Sequence, residues 1–120
     1  MIIVGMVVNI ADNSGGKVGK CIKVLNKKRF GVIGDTIIIS VIKLRSQGKV
    51  KRKEIYKGLI VRTRKPFFRN NGSYLNFDDN SVILLNKKEK PVGSRMKGPI
   101  LKELRRKKMV RLISVSSAIL

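Results

Sequence analysis

One stretch limits what this chain can become. Residues 48–65 read GKVKRKEIYKGLIVRTRK. An apolar core, Gly58-Leu59-Ile60-Val61, lies between two cationic clusters: Lys49, Lys51, Arg52, Lys53 and Lys57 before it, and Arg62, Arg64 and Lys65 after it. Uncompensated charges are costly to take out of water, whereas the apolar core gains by leaving it. The segment must therefore pass through a small body as a strand and emerge positive at each end.

The cationic excess extends to the whole chain. Twenty-eight Lys and Arg against seven Asp and Glu leave a net charge of +21 on 120 residues. That length suits one domain, and 42% apolar residues can fill a modest core, unlike a disordered basic tail. A charge of this size repels itself in a compact monomer and draws in a polyanion. Nucleic acid is the favoured partner, with an anionic membrane surface the weaker alternative. The chain has no His, and Cys21 is its one cysteine. An internal disulfide framework, a Cys/His zinc site and histidine-based catalysis are excluded on that ground. Cys21, in Lys-Cys-Ile-Lys-Val, is expected to be a small buried residue. No apolar run approaches the ~18 residues of a membrane-spanning helix. The first residues match neither a signal nor a transit peptide, so the protein is expected either to act where it is made or to have been trimmed.

Hydrophobic patterning predicts strands over residues 1–11, 20–25, 36–44, 55–63 and 81–85, separated by turns. Asp12-Asn13-Ser14-Gly15-Gly16 and Asn70-Asn71-Gly72-Ser73 carry the strongest turn signals. TIIISVIKL, residues 36–44, is so continuously apolar that burial on both faces is expected for part of its length. Residues 45–53 read as an exposed turn or ribbon, and Pro66 ends the strand before it. Beyond Asn86 the pattern changes. Pro99 to Lys108 reads as a short helix: Pro99 suits the first position, Ile100, Leu101 and Leu104 share a face, and Glu103 precedes Lys107 by four. Residues 110–115 read as a strand or irregular chain. The expected fold is mainly β, a small closed barrel within one domain: 1–86 forming the barrel with its ribbon, 87–120 a loop and short-helix appendage.

Enzymatic chemistry finds little support. The acids sit mostly in turns, where Asp is common for backbone reasons, and Asp78-Asp79 reads as a turn rather than a metal pair. Asn13-Ser14-Gly15-Gly16 lacks the Gly-Lys-Ser/Thr ending of a phosphate-binding loop. Tyr74 and Phe77, three apart on a strand, must face opposite sides, so at least one belongs to the core. Phe67-Phe68 beside Arg69 is read as packing in preference to base stacking. Cations dominate, so the expected contacts are to phosphate and sugar. The candidates are Lys17, Lys27, Lys28, Arg29, Lys49, Lys51, Arg52, Lys53, Arg62, Arg64, Lys65, Arg69, Lys97, Arg105, Arg106, Lys107 and Lys108. If ~8 of them touch phosphates, log K against log salt should fall with a slope of roughly −7. Such a surface reads the shape of folded RNA more than its sequence.

Several blocks together resemble one family. They are Asn9-Ile-Ala-Asp-Asn-Ser-Gly15, Cys21-Ile-Lys-Val-Leu25, Gly48-Lys-Val-Lys51, Val61-Arg-Thr-Arg-Lys65, Asn71-Gly-Ser73, Phe77-Asp78, Val82-Ile-Leu-Leu-Asn86, Pro91-Val-Gly-Ser-Arg95, Gly98-Pro99 and Lys102-Glu-Leu-Arg105. In this order, and over nearly the whole chain, they resemble the universal ribosomal protein L-fourteen family of the large subunit. The resemblance implies a five-stranded β-barrel with a projecting β-ribbon and C-terminal short helices. It implies a structural role: binding large-subunit rRNA, contacting neighbouring large-subunit proteins, and facing small-subunit rRNA across the interface. It places Ser94, Arg95 and Arg111 on that partner face, where ribosome-silencing factors dock in bacterial and organellar relatives. No cofactor, no metal and no membrane are expected.

The chain departs from the family pattern at four places. Ser94 stands where Thr is usual, Lys97 where an aromatic is usual, and Lys53 where a Gly is usual. Residues 105–108 are more basic than is typical. The Ile, Lys and Asn richness fits an organelle-encoded mitochondrial protein, with a bacterial or plastid protein as the alternative. Outside the family, a free nucleic-acid module such as a nucleoid or RNA-chaperone protein is the second reading, and an enzyme the third.

Overall fold

The computed structural model describes residues 1–26, 28–44, 50–51, 53–69, 71–88, 90–93, 99–100 and 118–119. Among these residues there are nine strands and no helix: β1 (Val7–Ile10), β2 (Gly16–Val24), β3 (Thr36–Leu44), β4 (Ile55–Arg62), β5 (Phe67–Phe68), β6 (Tyr74–Leu75), β7 (Ser81–Leu85), β8 (Pro99–Ile100) and β9 (Ala118–Ile119). The protein is mainly β, as expected. β3 and β7 match their predicted ranges, and β4 ends one residue early.

Five strands close a barrel in the order β1-β2-β3-β4-β7. Neighbours are antiparallel except at the seam, where β7 runs parallel to β1 through the pairs Asn9–Ser81 and Ile10–Val82. Closure removes the free edges that a five-stranded open sheet would expose. The interior is filled by branched aliphatics whose alternation sets the register. On β3, Ile37, Ile39 and Val41 are buried at 0% exposure. Their partners on β4 include Gly58 opposite Ile37 and Tyr56 opposite Ile39. Directly opposed residues share a face, so Gly58 and Ile60 point inward.

Leu59 and Val61 then lie on the other face of β4, and both are also 0% exposed. All five residues of β7 are buried. The strands closed on both faces are therefore β4 and β7, not β3, whose Ile38 and Ile42 are half-buried and whose Leu44 is exposed. The difference arises from what the chain lays outside each strand. Beside β7, Leu85 forms a bridge with Pro91, and the Val92 N–H donates to Leu84 O at 3.0 Å. At the end of β4, the Phe77 N–H reaches Thr63 O at 3.2 Å.

Three other expectations are corrected. The first predicted strand divides: Gly5, at φ 93°, turns the chain, leaving Ile2 to pair separately with Gly31. β2 begins four residues earlier than expected, and bulges within it absorb the mismatch with β3. Pro99 and Ile100 do not open a helix. Their backbone is extended and pairs in parallel with Ala118 and Ile119. A proline suits a strand's first residue as well as a helix's first turn, so the local pattern could not separate the two. The rest of the expected helix, and residues 110–115, lie outside the described residues.

The segment expected to project after β3 also folds back in part. Val50 is 5% exposed and belongs to the core. Residues 45–49 and 52 lie outside the described residues.

Candidate nucleic-acid interface

The barrel can hold a cationic surface because, among the described residues, no Lys or Arg is fully buried. On β2, Lys17, Lys20 and Lys23 are exposed while Gly16, Gly19, Cys21 and Val24 are buried. Strict alternation would send Lys20 and Lys23 to opposite faces. A bulge between Cys21 and Lys23 restores Lys23 to the outside. Lys43 of β3 is exposed beside them, opposite Val18, and Lys20 stands opposite Ser40. Lys17, Lys20, Lys23 and Lys43 thus make one positive outer wall across β2 and β3. Of these four, sequence reasoning singled out only Lys17. The missed signal was that a lysine within a strand of this composition has nowhere to go but outward.

A second group of cations gathers where β4 leaves the barrel. Arg64 and Lys65 are exposed, and Arg64 is oriented by Nε donating to Asp78 O at 2.9 Å. Arg62 is placed differently. Its side chain is 13% exposed, its Nε lies 3.7 Å from Asp79 Oδ1, and its Nη2 donates to Ser81 Oγ at 3.2 Å. Asp79 also accepts from Ser81 Oγ at 2.7 Å and from Asn9 Nδ2 at 3.4 Å. Arg62 therefore ties β1, β4 and β7 at the barrel's end, and Arg64 and Lys65 carry the exposed charge there.

Lys28 and Arg29 are exposed on the loop after β2, with the Lys28 ammonium 5.9 Å from the centre of the Phe30 ring. Lys51 and Lys53 are exposed before β4, and Arg69 is half-buried at the start of the β5–β6 turn. Lys87, Lys88 and Lys90, exposed after β7, were not anticipated. Lys27, Lys49, Arg52, Lys97, Arg105, Arg106, Lys107 and Lys108 lie outside the described residues, as do Ser94, Arg95 and Arg111.

The described acids do little to neutralise these surfaces, because Asp12, Asp35, Glu54 and Asp79 are each engaged by hydrogen bonds and Asp78 alone among those described is exposed. Asp12 is 2% exposed and accepts from Ser14 N at 3.2 Å, Ser14 Oγ at 2.5 Å and Leu84 N at 3.0 Å. Burial pushes its carboxyl above the usual range, against the opposing pull of the Ser14 and Leu84 hydrogen bonds. Asp35 accepts from Asn26 Nδ2 and from Val32 N, both at 2.9 Å. Glu54 accepts from the Tyr56 hydroxyl, whose pKa is pushed up to about 12 by burial first and by the carboxylate second. Among the described residues no group of three or more His, Cys, Asp or Glu could hold a metal ion, and no helix is long and apolar enough to cross a membrane. Cys21 is buried, as expected.

Lys53 is the one non-glycine described with positive φ, at 66°. A β-carbon in that region costs about 1–2 kcal/mol, part of which a glycine returns through its freer unfolded chain. Lys53→Gly is expected to raise stability by up to about 1 kcal/mol while removing one cation. Urea denaturation checks this through a higher midpoint at unchanged slope.

Exposed cations on the barrel wall and at the strand end, beside acids of which Asp78 alone among those described is exposed, suit contact with a polyanion. A family model described as ribosomal protein L14p/L23e matches residues 1–120 of the chain.

Proposed function

The chain belongs to the ribosomal protein L14p/L23e family, and on that premise we propose how it acts within the large ribosomal subunit, of which it is a structural constituent. It binds large-subunit rRNA, mainly at phosphates. Exposed Lys17, Lys28, Arg29, Lys51, Lys53, Arg64 and Lys65 make those contacts, joined by Lys20, Lys23 and Lys43 of the barrel wall. The observation that carries this reading is the family match over the whole chain, and a net charge of +21 supports it. Folded RNA offers closely spaced phosphates, and neutralising them releases counterions. The family points to a non-enzymatic role in translation, at the ribosome.

In this reading Ser94, Arg95 and Arg111 face the small subunit and its rRNA, and a ribosome-silencing factor docks there. Neighbouring large-subunit proteins complete the surroundings. The ribosome concerned is mitochondrial, which fits the Ile, Lys and Asn richness, with a bacterial or plastid ribosome the alternative.

The test has two arms. The chain should stay with the large subunit through a high-salt wash. Recovery only in a soluble or DNA-bound fraction would sink the reading in favour of a free nucleic-acid module. Charge reversal at Arg95 and Arg111 should then impair subunit joining more than large-subunit assembly, measured by gradient sedimentation. Normal joining by intact particles would remove the intersubunit role.

A further inference from the structure

The β5–β6 hairpin carries two aromatic side chains that the barrel does not use. Phe68 and Tyr74 are opposite one another across the strand pair, so they share a face. Their ring centroids lie 5.9 Å apart at an interplanar angle of 47°. They are nevertheless 72% and 60% exposed. Phe77, by contrast, packs against the core. An aromatic pair can serve to stabilise a hairpin, but that role does not require leaving most of both rings in water.

The surroundings say what would cover them. Phe68 also forms one wall of a cleft of about 240 Å³, with Phe30, Val32, Ile33 and Pro66 among its other apolar sides. Met1 and Lys65 lie at the same cleft. Burial, and then the charge of Lys65, lowers the pKa of the Met1 ammonium and disfavours its charged form, so Lys65 carries the positive charge of this small space. Asp35, on the turn beside Val32, is engaged by Asn26 and by the Val32 N–H. The site therefore offers flat apolar walls with a positive rim. A protein segment that matched it would have to be apolar and acidic together. An unpaired nucleotide matches it outright, since its base presents a π-face and its phosphate a negative charge.

We propose that Phe68 and Tyr74, with the adjoining cleft at Phe30 and Lys65, form a stacking site for an unstacked nucleobase of RNA. This rests on the reading of the chain as an rRNA binder and adds to it. The phosphate contacts give affinity without regard to base, whereas this hairpin selects a splayed-out nucleotide. It also reverses the sequence-based expectation that Phe67-Phe68 is packing, at least for Phe68.

The test uses the full chain and single-stranded oligoadenylate, with an RNA duplex for comparison. Tyr74 and Tyr56 are the chain's two tyrosines, and it has no Trp. In a Tyr56→Phe background, emission therefore reports on Tyr74 alone. Oligoadenylate should quench that emission, and the duplex should not. Phe68→Leu should weaken single-strand binding roughly 5- to 150-fold while leaving the slope of log K against log salt unchanged, because no charge is lost. Phe68→Tyr should restore binding. Lys65→Gln should instead lower the slope by about 0.7. In the assembled large subunit, ultraviolet cross-linking should join Phe68 or Tyr74 to a single nucleotide.

Full affinity in Phe68→Leu together with unquenched Tyr74 emission would overturn the proposal while leaving RNA binding intact. Cross-links from the hairpin only to protein would overturn it in favour of a protein partner. Failure of the unsubstituted chain to bind either RNA would remove the underlying reading as well.

Discussion

Replacing Lys17, Lys20, Lys23 and Lys43 together by Gln is expected to weaken binding to large-subunit rRNA by roughly a hundredfold or more at low salt. The same variant should lower the slope of log K against log salt by about 3 to 4, if each lysine neutralises one phosphate. These four residues share the outer wall of β2 and β3, exposed on strands whose other faces close the barrel. Their side chains are exposed, so the fold should survive. Stability should rise slightly, since removing like charges relieves self-repulsion in a chain of net charge +21. Filter binding across a salt series checks the slope, and thermal unfolding checks the fold. An unchanged slope in a folded variant would place the RNA on another face, such as the one bearing Arg64 and Lys65.

Asp12→Ala is expected to lower stability by about 3 kcal/mol or more. The loss comes from stranding the Leu84 N–H and the Ser14 donors in buried surroundings, at about 1–3 kcal/mol for each unsatisfied group. Leu84 is 0% exposed, so water cannot readily take the place of the carboxylate. Asp12→Asn should cost less, about 1–3 kcal/mol. Its single oxygen can still serve Ser14, while its amide NH₂ meets the Leu84 N–H donor to donor.

The pH dependence has a definite sign. Burial raises the folded-state pKa of Asp12 above its ordinary value of 3.8. Between those two values the folded state therefore holds more protons than the unfolded state. Stability from this group is fully present below the unfolded value and declines as pH rises through the folded one. The wild type minus Asp12→Asn difference in unfolding free energy should accordingly shrink as pH rises across that window. A difference that grows instead would mean the hydrogen bonds from Ser14 and Leu84 outweigh burial.

Much of the fold was legible in the sequence. TIIISVIKL and SVILL are β-branched and apolar enough to specify β3 and β7 within their observed limits. Asn71-Gly72-Ser73 specified a hairpin turn, and Gly72 takes the positive φ of 88° that such a turn needs. The cationic surface was legible only in bulk. Runs such as Lys27-Lys28-Arg29 are conspicuous on a line of text, whereas Lys20, Lys23 and Lys43 become neighbours only when β2 pairs with β3. Arg62 shows the reverse case. It stands in the most basic stretch of the chain, yet its partners Asp79 and Ser81 reach it from far along the sequence.

The stretch from residue 48 to 65 separates the two kinds of information. Its sequence alone determined that Gly58 to Val61 is buried and that its charged flanks are not all taken inside, because solvation free energy depends on residue type before any neighbour is known. Tertiary structure decided the rest. The pairing of β4 with β7 on one side and β3 on the other, with chain laid outside, closes both faces of the strand. The same folding turns Val50 into the core, gives Lys53 a backbone that usually belongs to glycine, and draws Arg62 to Asp79. It also leaves Phe68 and Tyr74 outside. Each of these depends on contacts between residues distant in sequence, and local composition cannot encode which distant segment will arrive.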